Sequence, residues 1–361
     1  MTWKPSLLLL GCLAPAAALA QTAPSPPSST AVTDLAPVMV SGVQPGPGLW
    51  KVGRGGHVMW VLGVSSPLPE KVRWESSDVE HAIAGAQEVI GQPTLKFKAK
   101  VGFFGKLFLL PSIYSARKNA DGRTLDEVVP VADYARWTAL KARYIGRDHG
   151  IERWRPIFAA LELANRALKA ANLSSSGGVA DEVKRLARQY QVPITQVRYE
   201  VDVANPRAVL KAFKAAGPDD VACFHSTMVA LDTQLPQMAA HANAWATGDI
   251  EALRKAAGVE DPRQTCMEAI TGAGFARQLG MDDIVPRMRG MWLDAARRAL
   301  AIHPQSFAML SMNQLLAPDG YLATLRAEGY EVVAPDDEAA TVPVAPAPAA
   351  SSPAPASSAA R

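Results

Sequence analysis

Val58-Met59-Trp60-Val61-Leu62-Gly63-Val64, running on into Ser65-Ser66-Pro67-Leu68-Pro69, is the stretch that decides the fold. It is apolar, rich in β-formers, uncharged and short, which reads as a central strand ending near Gly63 rather than as a helix. A comparable stretch lies near the other end of the chain, Ser306-Phe307-Ala308-Met309-Leu310-Ser311-Met312-Asn313-Gln314-Leu315-Leu316. There 307–311 reads as a strand, 318–328 as a helix and 330–333 as a closing strand. Strands near both ends with helices between them imply a sheet assembled from sequence-distant pieces, and hence the α/β class. The expected domain covers 48–334, with a helical insertion in its middle.

Between the two blocks, 77–88 reads as a helix with Ser77 as cap and Glu80 at the capping-box position. Residues 95–101 alternate strictly, giving a strand with one apolar face and one face bearing Lys96, Lys98 and Lys100. The segment 105–113 continues apolar. Helices are then predicted over 125–146, 151–171 and 179–190, a strand over 192–201, and helices over 206–215, 219–246, 249–257 and 262–278. Ile284, Met288, Met291, Ala295 and Ala299 recur at helical spacing and mark the buried face of a further helix. No internal repeat is visible.

The two ends of the chain have a different character. Lys4, an apolar run to Leu19 and the small-x-small triplet Ala18-Leu19-Ala20 read as a secretory signal peptide over 1–20. Leu10-Gly11-Cys12 has the form of a lipoprotein box. Its apolar lead is only about half the length of an ordinary signal-peptide core, however, so cleavage before Gln21 and export to a periplasm are expected. Residues 21–47 are a Pro/Ser/Ala-rich linker. In 335–361, Pro343, Pro346, Pro348, Pro353 and Pro355 stand among Ala and Ser, a tail with too little to bury to offset its ordering entropy.

The formal charge of +3 is too near neutral to argue for nucleic acid. No later segment is long and apolar enough to span a bilayer. Cys223 and Cys266 remain after signal cleavage. An even count in an oxidising compartment favours a disulfide, with two separate buried thiols as the alternative. Neither cysteine has a partner at the spacing of a metal site.

The two terminal blocks resemble the opening and closing blocks of the TraB/GumN family, whose relatives include the PrgY and Tiki proteins. The resemblance implies a central mixed β-sheet flanked by helices, of the erythromycin-esterase-like kind. It also implies metal-dependent hydrolysis, with peptide cleavage proposed for the Tiki branch. In the family a Gly-x-x-His ends the first strand, a glutamate ends the second, and a Gly-x-x-His-Leu precedes the closing helix. Carried onto this chain, Gly63 matches the first glycine and Ser66 replaces its histidine. Gln92 falls at the glutamate, within an offset of a few residues, while Ser311 and Gln314 replace the last glycine and histidine. Neutral hydroxyl and amide groups are poor ligands beside imidazole and carboxylate. The reading is therefore a degenerate member with no metal and no cofactor, binding a peptide, a protein or an anionic glycan in the ancestral cleft. An active hydrolase with a rearranged site, or an accessory protein of exopolysaccharide metabolism, is the alternative.

Other residues offer less. Arg287 and Arg289, ahead of Trp292, resemble the family's closing-helix arginine, and either could be its match. The lysine face at Lys96, Lys98 and Lys100 reads as a solvated outer strand or as an anion contact. Gly53-Arg54-Gly55-Gly56 lacks a P-loop lysine. His57, His81, His149, His225, His241 and His303 fall in separate elements and read as surface or satisfied residues. Neither Ser226 nor the Ser65-Ser66 pair has a nucleophile elbow around it.

Overall fold

Leu49–Arg54 (β1) and His57–Val64 (β2) pair antiparallel, with Leu49 opposite Leu62 and Arg54 opposite His57. Gly55 and Gly56 make the turn at φ +59° and +85°, the left-handed conformation that a two-residue hairpin demands and that side chains resist. The glycine cluster is thus a hairpin turn and not a phosphate cradle. The computed structural model describes residues 42–337 except 71, 100–114, 176–177, 204, 216, 257–260, 263–265 and 267–282. The expected signal peptide, the tail from 338 onward, Lys100, the apolar 105–113 and most of the helix expected at 262–278 lie outside the described residues, as does the linker up to residue 41.

The remaining strands are Leu68–Pro69 (β3), Val89–Ile90 (β4), Thr94–Ala99 (β5), Leu173–Ser174 (β6), Ile194–Thr195 (β7), Arg198–Val203 (β8), Gln305–Ser311 (β9) and Glu331–Val333 (β10). Six of them form one mixed sheet in the order β10-β1-β2-β9-β4-β7. The two blocks at the chain ends meet at its centre: β2 runs parallel to β9, with Val58 level with Gln305 and Val64 level with Ser311. Ser306 through Leu310 are all buried, so β9 is covered on both faces, as parallel strands in α/β proteins are. The fold is α/β with helices flanking a mixed sheet.

The helices are Ser77–Ala84 (α1), Val131–Tyr144 (α2), Pro156–Ala170 (α3), Val179–Gln189 (α4), Pro206–Ala215 (α5), Gly217–Thr233 (α6), Leu235–Thr247 (α7), Ile250–Lys255 (α8), Ile284–Ile302 (α9), Met312–Leu316 (α10) and Tyr321–Ala327 (α11). Several helices are shorter than periodicity predicts, and proline is the usual reason. Pro130 and Pro156 mark the starts of α2 and α3, each preceded by a short 3-10 turn, because proline cannot donate inside a helix but suits its first turn. The long helix expected over 219–246 divides into α6 and α7 just ahead of Pro236. The capping box expected at Ser77 is absent: α1 begins there, after Ser76. Glu80 instead accepts from the Tyr190 hydroxyl at 2.5 Å and the Gln189 amide at 3.3 Å, tying α1 to the end of α4. On α9 the predicted face is buried at Ile284, Ala295 and Ala299, but Met291 is exposed.

The strand expected over 192–201 is two strands. After β4 and β7 leave the main sheet, the same two chain segments continue as a parallel ribbon, β5 with β8. Leu95, Tyr199 and Val201 of this ribbon pack on Ile284 and Met288 of α9. Two larger buried clusters hold the rest together. One surrounds the sheet; the other joins α2, α3 and α6 around Trp137 and Phe224. The disulfide lies in the second. Cys223 and Cys266 are bonded, with Cα atoms 4.4 Å apart.

Candidate functional site

Strand direction brings the site residues to one place. Because β2, β9 and β4 are adjacent and parallel, their carboxyl ends emerge along one edge of the sheet, where ligands of open α/β sheets bind. Ser66 follows the end of β2, Gln92 follows β4, and Gln314 follows β9 in the first turn of α10. All three are partly accessible. The register sets Gln92 back from the others, since Ile90 is level with Ala308 and therefore with Val61.

Ser66 is held. Its Oγ lies 3.1 Å from the Ser175 carbonyl oxygen and 3.2 Å from Oδ2 of buried Asp261, both acceptors. Its neighbour Ser65 is buried and sits 3.3 Å from Nδ1 of His241 on α7. His241 is only 2% exposed, and its Nε2 has no hydrogen-bond partner among the described residues. Burial lowers its pKa below the ordinary 6.5, because desolvation disfavours the charged ring. One turn farther along α7, Trp245 donates through Nε1 to the Gly63 carbonyl at 2.8 Å. Helix α7 is thus bonded to the end of β2 at Gly63 and at Ser65.

The closing block is shaped by local capping. Ser311 is the N-cap of α10 and accepts from the Gln314 amide at 3.3 Å, the first half of a Ser-x-x-Gln capping box. Gly63 leaves room for Met312: a Cβ there would come within 2.6 Å of the buried methionine's methyl group. Gly320 starts α11 because a Cβ would stand 2.4 Å from the Gln314 carbonyl oxygen and 2.8 Å from that of Ala317.

The two arginines now separate. Arg289 donates through Nη2 to the Asp319 and Gly320 carbonyls and, at 2.6 Å, to Thr324 Oγ1, which clamps the turn beyond Gln314. Its guanidinium carbon also lies 5.8 Å from the centroid of the Tyr321 ring. Arg287 instead pairs with Asp283 at 2.7 Å and reaches the Tyr199 hydroxyl at 3.2 Å on the ribbon. Trp292 is buried, donates to the Met309 carbonyl and meets Tyr321 edge-on at 5.3 Å.

The lysine face lies on β5. Lys96 is level with Glu200 and Lys98 with Asp202 on β8, and Lys98 forms an ion pair with Glu200. That pairing holds the Glu200 carboxyl below the usual carboxylate range. The positive row is therefore opposed by a negative row on the same small sheet, which weakens it as an anion contact.

Among the other histidines, His225 Nδ1 lies 2.9 Å from the carboxylate of buried Asp133, His57 Nδ1 lies 2.7 Å from the Leu300 carbonyl oxygen, and His303 stands 3.5 Å from Glu88. Reading the sequence element by element missed the approach of His241 to Ser65 and of Asp261 to Ser66. No local motif links positions so far apart in the chain.

An α/β protein with its polar cluster at the carboxyl edge of a mixed sheet is the class that this geometry defines. Residues 48–334 match the TraB/PrgY/gumN family, and the chain belongs to that family. No curated protein and no solved structure matches it. The resemblance implies a metal at this edge, but the residues read from the sequence as replacing its ligands, Ser66, Gln92 and Gln314, offer a hydroxyl within 3.2 Å of Asp261 and two neutral amides. That donor set does not fit Zn²⁺ or a similar transition-metal ion. Among the described residues no group of three or more His, Cys, Asp and Glu side chains could hold one.

Proposed function

We propose that this chain is an exported member of its family that binds a peptide, protein or glycan at the carboxyl edge of the sheet without metal-dependent hydrolysis. The observation that carries the reading is the convergence of Ser66, Gln92 and Gln314 at the ends of three adjacent parallel strands. Hydroxyl and amide groups there both donate and accept hydrogen bonds, which suits recognition of a polar chain. They include neither the imidazole nor the carboxylate that Zn²⁺ and similar ions prefer. Export is supported by the disulfide between Cys223 and Cys266, a bond that persists in oxidising compartments. No helix among the described residues is long and apolar enough to cross a membrane.

Elemental analysis of the purified chain tests this. The wild type should carry no stoichiometric divalent metal, whereas a Ser66→His, Gln92→Glu, Gln314→His variant should gain divalent binding. Stoichiometric Zn, Mn or Co in the wild type, together with metal-dependent peptide cleavage, would overturn the reading.

A second reading, a hydrolase with a rearranged site, has one observation in its favour. Ser65 meets His241 and Ser66 meets Asp261 at the same strand end. Metal-free peptide hydrolysis abolished by Ser65→Ala and by His241→Gln would favour it over binding alone.

A further inference from the structure

A second polar site lies in the helical part of the chain and shares no lining residue with the sheet edge. A cavity of about 530 Å³ opens among residues 115–128, the start of α3, Lys214 of α5, and Asp220 and Val221 of α6. Its volume is in the range of small-molecule pockets. Four cationic side chains line it, Lys118, Arg123, Arg155 and Lys214, against two acidic ones, Glu127 and Asp220.

Both acids already hold partners. Asp220 holds buried Arg155 in a two-point contact, Nε to Oδ2 at 2.5 Å and Nη2 to Oδ1 at 2.8 Å. Glu127 turns back to the start of its own 3-10 turn, where it accepts from the Thr124 amide at 2.7 Å and the Thr124 hydroxyl at 3.1 Å. Among the described residues the lining carries two positive charges more than negative ones (4 − 2). The amino end of α3, with Pro156 at its first turn, opens on the same cavity and adds the positive end of a helix dipole. Arg155 Nη1 is buried with no hydrogen-bond partner among the described residues. Apolar walls at Val128, Pro156 and Val221 lower the local dielectric and strengthen attraction to an anion.

We propose that this cavity binds a small organic dianion through carboxylate or phosphate oxygens, with Arg123 and Lys214 as the contacting charges and the Arg155–Asp220 pair as a fixed floor. Titration calorimetry on the full chain in low salt, with succinate, inorganic phosphate and uncharged succinamide as probes, tests it. Saturable binding of succinate or phosphate, but not succinamide, is expected, and which anion binds identifies the oxygen group recognised. An Arg123→Gln, Lys214→Gln variant removes the charges but leaves the buried floor intact. It should weaken binding by about tenfold for each cation removed, with an unchanged circular dichroism spectrum. Gln314→Ala should leave anion binding untouched, so that failure at the sheet edge is distinguishable from failure here. Absence of saturable anion binding overturns the proposal. So does wild-type affinity in the double variant, or equal binding of succinamide.

Discussion

Lowering the pH should destabilise this protein through His241 in particular, and the size of the effect can be worked out. The ring is 2% exposed, bonds Ser65 Oγ through Nδ1 as its one partner among the described residues, and has its pKa lowered by burial. In the unfolded chain it titrates near 6.5. Between the two pKa values the unfolded state binds a proton that the folded state refuses, so stability is highest above the unfolded value and falls as the pH drops through it. One such group changes stability by at most about 1.4 kcal/mol per pH unit. From pH 7.5 to 5.5 the loss integrates to about 1.4 kcal/mol when the folded ring stays neutral throughout. The assay is urea unfolding at both pH values for wild type and His241→Gln, whose side-chain amide keeps a hydrogen bond to Ser65 but does not titrate. Other groups change equally in both proteins and cancel in the difference. The wild type should lose more than the variant, by at most about 1.4 kcal/mol. Equal losses would refute the reasoning and would mean that His241 takes up its proton without leaving its site.

Reduction, or a Cys223→Ser, Cys266→Ser variant, should cost about 4 kcal/mol in the chain-entropy treatment of a loop closed over a separation of 43 residues. Urea midpoints of the oxidised and reduced forms read it directly, and coincident midpoints would contradict it. At the buried pair whose side chains are 6% and 4% exposed, Asp220→Asn should cost about 3–5 kcal/mol by stranding Arg155, whereas Arg155→Met with Asp220→Leu should cost far less than the sum of the single changes. Additive losses in that double-mutant cycle would show the two residues to be uncoupled.

The sequence by itself determined the strands that matter and their types. An uncharged β-rich run at 58–64 and another at 307–311 leave few alternatives, and the same residues carry the family resemblance. The paired glycines at 55 and 56 and the even cysteine count were likewise legible, since turn chemistry and thiol pairing are local or compositional properties. Tertiary structure alone decided the rest. Where 125–146 and 219–246 break depends on prolines whose effect is masked by apolar periodicity continuing past them. Glu80 has the spacing of a capping box, yet it is drawn to Tyr190 on another helix, because a side chain follows the strongest partner within reach and not the nearest in sequence. The lysine row on β5 looks like a free positive face until the parallel register of β8 sets Glu200 and Asp202 against it. Above all, the contacts of Ser65 with His241 and Ser66 with Asp261 cross 176 and 195 positions of chain. Hydrophobic burial of α7 against the sheet brings His241 to Ser65, and burial pattern records which face is apolar without recording which polar atoms will meet at its end.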